Sequence, residues 1–247
     1  MDARVVAWRG VGVRVQADPA ALDLLEQHLP GFYGGPARVV AQARLSGTDQ
    51  LVVELPDGLS VSGPYNPETF RAAASRIELL VAAALPDRVA VHAGVVAFAG
   101  RAVVIPGPSH SGKSTLVQAL VEAGATYLSD EFALLDEAGR VWPYPRQLTL
   151  RTETGTTRHL PERSAAVTDD GLEVALVANL AWSTGGWQVE AATRGQAMLA
   201  LAANALPVRA APARTLDTLV ATVATAAGLR GRRGEADAAA TELLALL

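Results

Sequence analysis

The stretch Gly107-Pro108-Ser109-His110-Ser111-Gly112-Lys113-Ser114 matches G-x-x-x-x-G-K-[ST] at every defined position. It follows a β-rich run at residues 102–105 and opens a helical pattern that starts at Lys113 and closes at Gly124, a residue suited to a left-handed helix end. This strand–loop–helix context commits the middle of the chain to an α/β fold. Its glycines let successive backbone N–H groups converge on one concavity, and the helix N-terminus adds positive potential for a phosphate. Lys113 reaches toward the β and γ phosphates, Ser114 offers a hydroxyl to Mg²⁺, and Thr115 follows in the first helical turn. Residues Gly107, Pro108, Ser109, His110, Ser111, Gly112, Lys113, Ser114 and Thr115 are therefore the candidate nucleotide-binding set, with ATP and Mg²⁺ as the implied ligands. Lys113 is also the sole lysine: the other 20 of the 21 basic side chains are arginine.

Composition removes several alternatives. The chain has 247 residues, 50% hydrophobic and 19% charged, with mean hydropathy +0.21, so it holds enough apolar surface for a packed core. Its formal charge of −4 leaves no basic excess to neutralise a nucleic acid backbone. The absence of cysteine excludes disulfides, thiolate metal sites and thiol nucleophiles. The opening MDARVVAWRG does not read as a signal peptide, and no apolar run has spanning length, so the expectation is a cytoplasmic protein without a membrane partner.

Two domains are expected. Residues 1–87 read as a small N-terminal α+β unit: one strand-like run over 4–16 with a glycine irregularity, a helix over about 19–28 opened by Asp18-Pro19, and strands at 37–45 and 51–55. A helix capped by Asn66-Pro67 then runs to Leu85-Pro86. Residues 88–247 read as the catalytic domain. Runs 89–98 and 102–105 form a hairpin around Ala99-Gly100-Arg101, and residues 126–128 make a short strand. A buried strand is expected over 174–182, helices over 195–206 and 215–228, and a polar loop over 152–171.

Asp130 and Glu131 lie 17 and 18 residues after Lys113, at the end of the short strand. One carboxylate there can serve Mg²⁺ while the other accepts a proton from an attacking hydroxyl, or both can belong to an acidic junction with metal duty alone. His92, in VAVHAGVVAFAG, is either a core histidine with small neighbours or a functional one. Arg146 and Arg151 are candidates to clamp a phosphate or to lie on the surface. Arg158, His159 and Arg163 in the polar loop read as a lid or as solvated charge, and Arg230, Arg232 and Arg233 as a solvated cluster or an anion contact.

Taken together, residues 91–136 resemble the catalytic core of HPr kinase/phosphorylase and the compact HPr kinase-like enzymes: a His-bearing strand, a hairpin, the phosphate loop, a helix and an acidic pair. The resemblance implies the P-loop core shared by HPr kinases and phosphoenolpyruvate carboxykinases, here with a small N-terminal β-rich unit. It implies Asp130 as general base, or acid in reverse, with His92 beside it and Lys113 on the phosphates. Glu131 with Ser114 would serve Mg²⁺. Two positions depart from the family pattern: His110 replaces a glycine, and Glu131 replaces the second aspartate. The compact layout looks most like enzymes that phosphorylate serine on ribosomally made peptides such as lasso-peptide precursors, and the hexamers of HPr kinases point to homo-oligomers.

The expectation is thus an ATP-dependent kinase acting on a serine or similar hydroxyl of a peptide or protein. The alternatives are an ATP-binding sensor or scaffold that transfers nothing, and a simple NTPase with water as acceptor; reverse phosphorylase activity also stays open.

Overall fold

A computed structural model describes residues 1–29, 36–55, 60–144, 146–152, 155–159, 161, 164 and 170–247, with backbone alone over 151–152 and 155–159. The chain divides into two compact units, Met1–Pro86 and Asp87–Leu247.

In the first unit a five-stranded sheet has the order β1(Asp2–Trp8), β2(Val11–Ala17), β3(Arg38–Ser46), β4(Gln50–Glu54), β5(Ser60–Pro64). The single strand expected over 4–16 is a hairpin. Arg9 and Gly10 take φ of 50° and 75° and reverse the chain in two residues, the conformation that matches the twist of an antiparallel pair. Helix α1(Pro19–Glu26) connects β2 to the parallel β3, and α2(Pro67–Ala83) follows β5. Both start as their caps dictate: Asp18 accepts from Ala21 N at 2.9 Å and Asn66 from Thr69 N at 3.0 Å. Leu22, Leu25, Phe70, Ile77 and Val81 supply their buried faces.

The second unit is a sheet with helices on both faces. Its strands are β6(Val89–Phe98), β7(Arg101–Pro106), β8(Thr126–Ser129), β9(Phe132–Leu135), β10(Val141–Trp142), β13(Val174–Trp182), β14(Gln188–Ala192) and β15(Ala227–Arg233). Their order is β10-β9-β6-β7-β13-β15-β14, with β8 also paired to β6. A separate hairpin joins β11(Leu148–Thr152) and β12(Gly155–His159), of which β12 falls within the 152–171 segment expected to be a polar loop. Helices α3(Lys113–Glu122) and α6(Ala236–Leu244) pack on one face of the main sheet, and α4(Arg194–Ala202) and α5(Pro212–Thr225) on the other. The helix expected to reach residue 228 stops at Thr225. The chain then becomes β15, an interior strand parallel to β13.

Three features of this unit position the site. The β6–β7 hairpin turns on Ala99 and Gly100, with φ of 49° and 78°, and delivers β7 to the phosphate loop. Strands β7, β13 and β15 run parallel, so their C-terminal ends share one edge, the side of an open α/β sheet where ligands bind. Gly94 on β6 lets α3 lie close to the sheet: a Cβ there would sit 2.6 Å from Val117 Cγ2. Gly94→Ala is therefore expected to push α3 outward and cost about 1–3 kcal/mol. Urea unfolding measures this, and an unchanged midpoint would show that the close approach is not needed.

Candidate active site

The loop expected to cradle phosphate, residues 107–112, begins where β7 ends. Gly107 is buried and its N–H donates to His92 O at 3.3 Å, which ties the loop to the middle of β6. Pro108, Ser109 and His110 are exposed, Ser111, Gly112 and Ser114 half-buried, and Thr115 exposed on the first turn of α3. His110, where the family pattern has glycine, takes glycine's left-handed conformation at φ 67°, a strain of about 1 kcal/mol for a side-chain residue. Gly112 is left-handed at φ 83° and forms the helix N-cap without a side-chain hydrogen bond, leaving the first-turn N–H groups to a ligand.

Lys113 is buried, and its ammonium donates to Gly107 O at 2.9 Å and Pro108 O at 2.8 Å. Burial lowers its pKa, against the opposing pull of Glu131 and Asp130. The Lys113 ammonium thus lies within the field of both carboxylates.

The carboxylates sit at a break in the chain. Strands β8 and β9 both pair with β6, and between them Ser129 Oγ accepts from the N–H groups of Glu131 and Phe132 at 3.1 and 3.0 Å. Ala93 N donates to Glu131 O at 3.0 Å, so the interruption stays anchored to β6. Asp130 is 3% exposed and its oxygens are engaged: Oδ1 accepts from Tyr127 Oη at 3.1 Å, and Oδ2 from Ser114 Oγ at 3.0 Å and Thr149 N at 3.1 Å. Burial pushes the Asp130 carboxyl up despite the opposing Arg146 charge, Thr149 N–H and Ser114 hydroxyl, and it raises Tyr127 as well. Glu131 keeps 28% of its side chain exposed, with Oε1 3.5 Å from His92 Nε2 and Oε2 3.6 Å from Arg146 Nη1. Burial acts to raise the Glu131 carboxyl, but the His92 contact and the charges of Arg146, His92 and Lys113 outweigh it and hold the group below its ordinary value.

This geometry corrects the pairing that the family resemblance implies. Ser114 meets Asp130, not Glu131, and His92 meets Glu131, not Asp130. The physical reason is reach: the shorter aspartate is enclosed by α3, β8 and β11, while the longer glutamate extends from the break toward β6. Ser114 and Asp130 offer the hydroxyl and carboxylate oxygens suited to Mg²⁺, a hard cation that protein commonly holds by few ligands beside substrate phosphates. Among the described residues no group of three or more His, Asp or Glu is arranged to hold a metal by itself. The loop also has an orphaned polar atom: Ser111 Oγ is buried with no hydrogen-bond partner among the described residues. A phosphate oxygen at the loop would fit that hydroxyl.

Two arginines carry more than the sequence suggests. Arg146 is a buried cation beside the acid pair. Arg233, expected in a cluster that is either solvated or an anion contact, is 3% exposed and donates from Nη2 to Gly112 O at 2.9 Å and from Nη1 to Gly234 O at 2.9 Å. Burial lowers its pKa against the pull of Glu235. Arg230 pairs instead with Glu190 at 2.5 Å on the exposed surface. Arg163 lies outside the described residues, as do the side chains of Arg151, Arg158 and His159. The coupling of Arg146 to Glu131 has a direct consequence: Arg146→Met should raise the Glu131 carboxyl. A carbon-detected NMR titration reads this shift, and an unmoved Glu131 would refute the charge balance described here.

No protein-family model matches the chain, and no curated protein does. Among solved structures, the HPr(Ser) kinase/phosphatase from Coxiella burnetii is similar at 20% identity and TM-score 0.31, over 42% of this chain and 76% of that one.

Proposed function

We propose that the Asp87–Leu247 unit is a MgATP-dependent kinase that transfers the γ-phosphoryl group to a serine-type hydroxyl of a peptide or protein. The observation that carries this reading is the 3.0 Å contact between Ser114 on the phosphate-loop helix and Asp130 of the acid pair, which joins a polyphosphate cradle to a carboxylate site. The resemblance of residues 91–136 to HPr kinase-like enzymes supports the same reading and is the basis for choosing serine as acceptor.

The chain's residues divide the work. Loop N–H groups and Lys113 bind and orient the phosphates and stabilise charge spreading over the equatorial oxygens. Ser114 and Asp130 would hold Mg²⁺, which when bound would neutralise phosphate charge. Glu131, the more accessible carboxylate and the one held below its ordinary value, accepts the proton as the acceptor oxygen attacks the γ phosphorus. The bond from that phosphorus to the bridging oxygen breaks, and ADP leaves with its electron pair. His92 orients Glu131, and the Arg146 charge favours the ionised form of both carboxylates. A carboxylate held below its ordinary pKa is a weak base. It fits a loose transition state in which proton transfer comes late and positioning contributes most.

Lys113→Ala is expected to lose MgATP affinity and turnover together. Glu131→Gln should bind MgATP within a few-fold of wild type yet transfer phosphate about 10²–10⁴-fold more slowly. Calorimetry with intact-mass detection of phosphorylated serine peptides checks both. Wild-type transfer rates in Glu131→Gln would remove the base assignment, and tight MgATP binding with neither ADP nor phosphopeptide would favour the sensor or scaffold reading.

A further inference from the structure

We infer that Trp182 is the platform on which the purine ring of the nucleotide stacks; this rests on the phosphate loop being a nucleotide site. Trp182 ends β13, and Arg233, its partner in the parallel register, ends β15. Arg233 in turn donates to Gly112 O of the phosphate loop at 2.9 Å, so the loop, Arg233 and Trp182 occupy one continuous edge. Along β13 the side chains alternate, and Leu176, Ala178 and Leu180 are buried with Leu116, Val117 and Leu120 of α3. Trp182 belongs to the same row. It is nevertheless 52% exposed, because α3 begins at Lys113 and the final row of the sheet stands level with the loop.

The sheet order sets the direction of the nucleotide. The acid pair lies on the β6 side of β7, and β13 and β15 lie on the other. Terminal phosphates directed at Asp130 and Glu131 therefore leave the nucleoside over the ends of β13 and β15. At ordinary strand spacing these lie about 5 and 10 Å from the end of β7. Trp182 is the one aromatic among the large apolar side chains exposed in the described residues. The exposed indole face beside Arg233 suits a single planar ring. The adjacent Ser183 Oγ has no hydrogen-bond partner among the described residues, and Ser183 N is fixed by Arg233 O at 2.9 Å. The strand end is thus rigid enough to hold the indole in place.

The test compares MgATP with magnesium tripolyphosphate, which carries the phosphates without base or ribose, by calorimetry on wild type, Trp182→Ala and Trp182→Phe. Wild type should bind MgATP more tightly than tripolyphosphate. Trp182→Ala should weaken MgATP on the order of tenfold and leave tripolyphosphate unchanged, and Trp182→Phe should recover most of the loss. Retained tripolyphosphate binding also reports that the variant is folded. Unchanged MgATP affinity in Trp182→Ala, or equal losses for both ligands, would overturn the stacking role. Failure of wild type to bind either ligand would instead remove the nucleotide site on which the inference rests.

Discussion

Two adjacent carboxylates are kept largely out of water at the C-terminal edge of a sheet, and the rest of the second unit is arranged around making that tolerable. Isolated buried charge is expensive and is retained only where cations and hydrogen-bond donors surround it. Asp130 answers with three donors from three elements, Tyr127, Ser114 and Thr149. Glu131 answers with His92 and Arg146. Lys113 lies in the field of both. The phosphate-loop helix, the His-bearing strand and the β11 hairpin therefore meet at one electrostatic requirement, and a change in any of them is felt by the carboxylates.

The same arrangement separates two jobs that the residue types alone do not distinguish. Asp and Glu in sequence could take either role, and a reading by family pattern assigns them in one order. Packing reverses it. Under the proposed kinase reading, the short, fully engaged carboxylate against Ser114 would hold a cation, and the longer, partly open one beside His92 would exchange a proton with an acceptor.

Much of this was legible in the chain itself, because the signals are local. The strand–loop–helix over 101–122, the Ala99-Gly100 hairpin turn, the Asp18 and Asn66 caps and the helix end at Gly124 are each dictated by residues within a few positions, and each occurs where the pattern puts it. Strand β15 was hidden for the opposite reason. Ala-Gly-Leu-Arg-Gly-Arg-Arg is poor in the branched and aromatic residues that mark strands, and three arginines suggest solvent. Its glycines are explained only by the neighbour: a Cβ on Gly228 would lie 2.8 Å from Ala192 O, and one on Gly231, at φ 143°, 2.2 Å from Gln188 O. Such close approach by β14 is a tertiary fact, as is the burial of Arg233 against the loop, and neither has a sequence period that announces it.

The loop over 107–114 and the acid pair meet at Ser114 and Asp130, and the proposed function has them bind one magnesium nucleotide. Hydrogen–deuterium exchange with and without MgATP tests it most directly. MgATP is expected to slow exchange both at residues 109–116 and at Thr149, whose amide is held by Asp130. Protection of the loop without Thr149, or no protection of either, would contradict a shared site.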